Sequence, residues 1–69
     1  MTKEMLKKGG CYKEKHFGTR LYYTGETREV ENYYYGRGYV KETVYIFNGD
    51  YDAKGIEKTE DQLRFLVEC

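Results

Sequence analysis

Sixty-nine residues allow one domain near the lower size limit for independent folding, with no room for a second domain beside it. A charged fraction of 35%, a hydrophobic fraction of 39% and an aromatic fraction of 17% exclude a chain disordered throughout. The formal net charge of zero counts against a dedicated nucleic-acid binder, since neutralising phosphates supplies most of such a protein's non-specific affinity.

The zero is unevenly distributed. Residues 1–28 carry seven Lys/Arg against three acids, and residues 29–69 carry five against nine. Nine tyrosines with no tryptophan and no proline favour sheet over a small helical core, because a tyrosine ring packs on a pleated surface while its hydroxyl needs a polar partner. No apolar run approaches the roughly 20 residues of a membrane span. The N-terminus has no hydrophobic leader-like region, and a cytoplasmic location with no membrane association is expected. Cys11 and Cys69 are too few for a secreted disulfide scaffold. They read as free thiols, with a clamp between the chain ends or an intermolecular bridge as the alternatives.

In chain order, residues 1–10 form a flexible or one-turn N-terminal segment, in which Thr2 would cap a turn carrying Met5 and Leu6 and Gly9 would end it. The single domain then spans residues 11–69. Cys11 to Phe17 alternate loosely, and Thr19 to Thr24 read as a short strand. Gly25-Glu26 stands where a two-residue hairpin turn would, so Arg28 to Tyr35 is the expected return strand. Gly36-Arg37-Gly38 is the next tight connection. Tyr39 to Phe47 is the strongest strand pattern, and its run Val44-Tyr45-Ile46-Phe47, apolar on both faces, suggests a central strand. Asn48-Gly49 is the signal for a type I′ turn, with Asp50 to Lys58 returning from it, broken near Lys54-Gly55.

Thr59-Glu60-Asp61-Gln62 reads as a capping box. Leu63, Leu66 and Val67 follow at helical spacing, which predicts a helix of about ten residues to the C-terminus that must dock on the sheet to persist. The expected fold is therefore α+β: an antiparallel sheet of four to five short strands packed by one short C-terminal helix. The layout of strands followed by a helix resembles small chromatin-type SH3-like barrels, and a partial barrel of that kind is the curled form of the expected sheet. The resemblance concerns layout and transfers no function.

One short helix covers one face of a sheet. With Leu21, Tyr23, Val30, Tyr34, Val40, Val44 and Ile46 beneath it, alternation leaves Tyr22, Tyr33, Tyr35, Tyr39, Tyr45 and Phe47 on the other face. An exposed aromatic patch of this size marks an interaction site, and Arg37 stands between two of its tyrosines. The expected partner-binding set is Tyr22, Tyr33, Tyr35, Arg37, Tyr39 and Tyr45.

Catalytic chemistry has little to work with. His16 is the only histidine and serine is absent, so a Cys–His nucleophile would lack its orienting groups. A zinc site from Cys11, His16 and Cys69 lacks a fourth ligand. The stretch from Asp50 to Gly55 resembles a calcium loop, but Lys54 stands where an oxygen ligand belongs and Asp61 replaces the bidentate glutamate. No catalytic residue, metal or cofactor is therefore expected.

The function that remains is a non-enzymatic protein-binding module, an inhibitor or adaptor that docks on a larger host or target protein. Small chains of this type are often encoded by phage or other mobile elements to block host proteins such as defence systems. A homodimer across the same face is a variant. A small single-stranded DNA- or RNA-binding domain is the alternative from another class, with aromatics stacking on bases and Arg37 tracking the backbone. Glu29, Glu31 and Glu42 oppose it.

Overall fold

A computed structural model describes residues 2–16 and 18–69 of the chain. Its elements are a single 3-10 turn (Lys3–Met5), β1 (Cys11–Glu14), β2 (Arg20–Tyr34), β3 (Gly38–Gly49), β4 (Ile56–Thr59), α1 (Glu60–Leu63) and β5 (Leu66–Glu68). The five strands form one sheet in the order β4-β3-β2-β1-β5, and every neighbouring pair is antiparallel. The expected end of the first strand at Phe17 lies outside the described residues.

The expected hairpin at Gly25-Glu26 is replaced by a bulge inside one long strand. Tyr23 pairs with Phe47 and Thr27 with Tyr45, so three residues of β2 stand against Ile46 alone. Gly25 takes a φ of +89°, and the Thr24 hydroxyl donates to the Ile46 carbonyl at 2.8 Å while accepting from the Glu26 N–H at 3.1 Å. Glycine before a turn and glycine in a bulge leave the same local trace. What decides between them is β3, long enough to pair with both halves of β2.

A similar displacement affects Asn48-Gly49. β3 continues through Gly49, and the left-handed residues are Tyr51 and Asp52, with φ of 58° and 66°. Gly49 is needed for close approach instead: a Cβ there would lie 3.0 Å from Ile56 Cδ1 and 3.1 Å from Ala53 Cβ.

The C-terminal helix is shorter than expected. Its capping box forms, with the Gln62 N–H donating to Thr59 Oγ1 at 3.3 Å and the Thr59 N–H donating to Gln62 Oε1 at 2.9 Å. The helix stops at Leu63, and residues 66–68 extend along β1, pairing Leu66 with Glu14 and Glu68 with Tyr12. A lone ten-residue helix is marginal in water, whereas the open edge of β1 offers backbone partners at once. Leu63 and Leu66 both still reach the core, one from the helix and one from the strand.

The cysteines are not free thiols. Cys11 and Cys69 are bonded to each other across 58 residues of sequence, and the Cys69 N–H donates to the Cys11 carbonyl at 3.1 Å. Local sequence cannot show this, because it depends on β5 lying beside β1.

The core joins Tyr12, Leu21, Tyr45, Phe47, Leu63 and Leu66, with Leu6, Tyr23 and Ile56 packed against it. The Tyr12 hydroxyl lies within this layer but is satisfied, accepting from the Lys7 N–H at 2.7 Å and donating to the Met5 carbonyl at 3.3 Å. That contact, with the backbone bonds of Gly9 and Gly10 to Tyr23, ties the N-terminal segment to the sheet.

The expected sorting of faces is corrected as well. Tyr45 and Phe47 share the core face with Leu21 and Tyr23, while Val44 and Ile46, on the opposite side of β3, are also buried. β3 is thus covered on both faces, as its apolar run suggests. Residues 60–65 connect the two edge strands, and Lys58 of β4 reaches Glu14 of β1 at 3.3 Å. Among the described residues no ladder joins β4 to β5, so the sheet is open.

Candidate functional site

β2 and β3 outrun their neighbours. β1 pairs with β2 only from Arg20 to Tyr22, and β4 pairs with β3 only from Val44 to Phe47. Beyond Arg28 and Val44, residues 29–34 and 38–43 therefore continue as a two-stranded ribbon. The buried residues all lie before it, in the five-stranded half.

The ribbon ends in the tyrosines. Tyr33 and Tyr39 are direct cross-strand partners, with ring centroids 5.3 Å apart and planes 63° from parallel, an edge-to-face geometry favoured by the ring quadrupoles. They are 62% and 76% exposed, and Tyr35 at the turn is 98% exposed. The turn closes through the Arg37 N–H donating to the Tyr34 carbonyl at 2.9 Å, and Gly36 supplies the positive φ of 82° that a type II turn needs at this place. Arg37 is exposed in the same turn, and its charge acts on Tyr34 and Glu42.

Tyr34 was expected beneath the helix but stands exposed on the ribbon's other face. Its hydroxyl donates to Glu42 Oε1 at 2.6 Å, and Asn32 donates to Glu42 Oε2 at 2.7 Å. These bonds hold the Glu42 carboxyl below the usual glutamate range, the Tyr34 bond first and the Asn32 bond second. The same contact raises the Tyr34 hydroxyl pKa. The network stiffens one face of the ribbon and leaves the Tyr33–Tyr39 face free.

The expected docking residues thus fall in three places. Tyr33, Tyr35, Arg37 and Tyr39 come together at the tip. Tyr45 is only 8% exposed and belongs to the core. Tyr22 is half-buried at the opposite end of β2, with its hydroxyl donating to Asp50 Oδ1 at 3.4 Å. Tyr51, fully exposed in the 50–55 loop, lies outside the expected docking set, because the assignment of faces stops at Phe47.

Elsewhere, Glu14, Lys15, His16, Lys58, Gln62, Phe65 and Leu66 line a cleft of about 340 Å³. Its Lys58 and Glu14 satisfy each other. The disulfide removes both sulfurs from any nucleophilic or zinc-binding role with His16. Among the described residues, no three His, Cys, Asp or Glu converge as metal ligands, and no helix is long and apolar enough to cross a membrane. No family model, curated protein or solved structure matches the chain.

Proposed function

We propose that the chain is a non-enzymatic protein-binding module of inhibitor or adaptor type. The tip of the β2–β3 ribbon docks on a larger partner protein through Tyr33, Tyr35, Arg37 and Tyr39. The observation that carries this reading is the exposure of three tyrosine rings at the end of the molecule with no core beneath them. Tyrosine and arginine are enriched at interface hot spots, and a tyrosine ring brings large contact area at small entropic cost. The strand order supports an SH3-like arrangement left unclosed, a likeness of layout that assigns no partner.

The disulfide bears on where the module works. Such bridges persist where thiols are not held reduced, which favours an oxidising compartment over the cytoplasmic one expected from the N-terminal sequence and the lack of a long apolar run. A partner met there fits this reading better than a cytosolic host factor.

The test compares the native domain, as bait in an extract of its source, with a variant carrying Tyr33→Ser, Tyr35→Ser and Tyr39→Ser. Loss of a specific partner with an unchanged far-ultraviolet spectrum is expected. Retention of every partner by the folded variant overturns the assignment. An exposed Arg37 in the same turn as exposed Tyr35 is the one observation favouring single-stranded nucleic acid instead. Binding to an oligonucleotide at low salt, lost at moderate salt, would move the conclusion there.

A further inference from the structure

The ribbon exposes its backbone as well as its rings. The Tyr23 N–H and C=O turn away from β3, to Gly10 and Gly9. β3 has no extra residue, so the alternation passes through it from Phe47 to Tyr45, Thr43, Lys41 and Tyr39. Their partners on β2 are Thr27, Glu29, Glu31 and Tyr33. Those four residues direct N–H and C=O to the outer edge of β2, consistent with the Tyr34 carbonyl facing inward to Arg37. Among the described residues, nothing hydrogen-bonds to that edge from Thr27 to Tyr34. Two common protections of a sheet edge are missing, because the chain has no proline and the bulge lies at the ribbon's base rather than along it.

We infer that this edge accepts an extended, basic segment of the partner protein as an additional antiparallel strand. The inference rests on the protein-binding reading above and names its docking mode. Charge chooses the occupant. Glu29 and Glu31 lie on one face, and only Glu31 has a cationic cross-strand neighbour, Lys41. A second copy is disfavoured: pairing centred on Glu29, Val30 or Glu31 sets glutamate against glutamate on that face. A strand with basic residues two apart meets both glutamates. Opposite Tyr33 through Arg28 it reads, from its N-terminus, aromatic or aliphatic, polar, basic, apolar, basic, acidic. Main-chain bonds supply affinity in such strand addition, and alternating side chains supply specificity.

The probe is a ten-residue synthetic peptide with that pattern at its centre, beside a control with glutamate at the two basic positions. Amide hydrogen exchange is followed on the intact, oxidised domain. The basic peptide is expected to slow exchange at Thr27, Glu29, Glu31 and Tyr33, and the control to bind about tenfold more weakly or worse. Glu29→Pro removes one outward N–H while sparing the β2–β3 ladder, and is expected to abolish binding with the far-ultraviolet spectrum kept. A basic peptide that leaves those four amides fast, or that binds Glu29→Pro equally well, overturns the inference. Slow exchange at the same amides from self-association alone also overturns it, in favour of a second copy. Capture of a partner through the tyrosines with those amides still fast removes strand pairing and leaves the docking reading standing.

Discussion

The two halves of the β2–β3 hairpin use the same strands for different purposes. Around the bulge and before it, Leu21, Tyr23, Tyr45 and Phe47 face a core closed by Leu63 and Leu66, and the disulfide locks the β1–β5 edge beside it. After the bulge, Tyr33 and Tyr39 occupy the same face of the same two strands but have only each other and water. Residue type does not separate these regions, since tyrosine serves in both. The difference lies in what the rest of the chain can reach. The 3-10 turn, α1 and β5 pack against the first half, and among the described residues nothing comparable covers the rings of the second.

On that contrast, damage to stability should fall with distance from the core. The largest effect is expected from Cys11→Ser with Cys69→Ser. A loop of this length, closed across 58 residues, is worth about 4 kcal/mol in the chain-entropy account. Small cores leave roughly 3–5 kcal/mol in total, so the reduced chain is expected to unfold near room temperature. Thermal denaturation with and without reductant reads this, and an unchanged midpoint would show that β5 holds without its clamp.

Leu63→Ala removes a fully buried side chain from the middle of the core and should cost about 3 kcal/mol. Measured in the oxidised protein, that loss keeps packing separate from the crosslink. Thr59→Ala deletes one half of the capping box and should cost about 1 kcal/mol. A much smaller value would mean that β4 and β5 alone hold residues 60–63 in place.

Substitutions at the tip invert the pattern. Tyr39→Ala loses a cross-strand ring contact worth about 0.5–1 kcal/mol, so denaturant midpoints should barely move while partner binding falls sharply. A midpoint shift as large as that of Leu63→Ala would mean that the rings are structural.

The subtlest effect is acid sensitivity confined to the ribbon. Glu42 has a lower pKa folded than unfolded, so its contribution is complete above the ordinary glutamate value of 4.5 and is lost as pH falls through the lowered folded value. Tyr34 is shifted upward, so its contribution is complete below 10.0 and is lost as pH rises through the raised folded value. Side-chain resonances of Asn32 and Tyr34 should follow these two transitions, while those of Phe47 stay fixed. Simultaneous movement of both groups would show that the ribbon and the core are one cooperative unit.

Local signals carried much of this without coordinates. Alternation and β-propensity in Tyr39 to Phe47 identified a strand, its run Val44 to Phe47 identified the part buried on both faces, and Thr59 with Gln62 identified the capping box. The tyrosine excess announced more rings than a small core can enclose. Each of these depends on neighbours within a few residues, where stereochemistry is the main constraint. Three other decisions required partners distant in sequence. Gly25 became a bulge because β3 spans both halves of β2, and Leu66 to Glu68 became a strand because β1 offered an edge. Cys69 met Cys11 because that strand ran back along it. Alternation assigns side chains to faces only after register is set, and register here was set by pairing across the sheet. The long-range contacts therefore decided which tyrosines are core and which meet a partner.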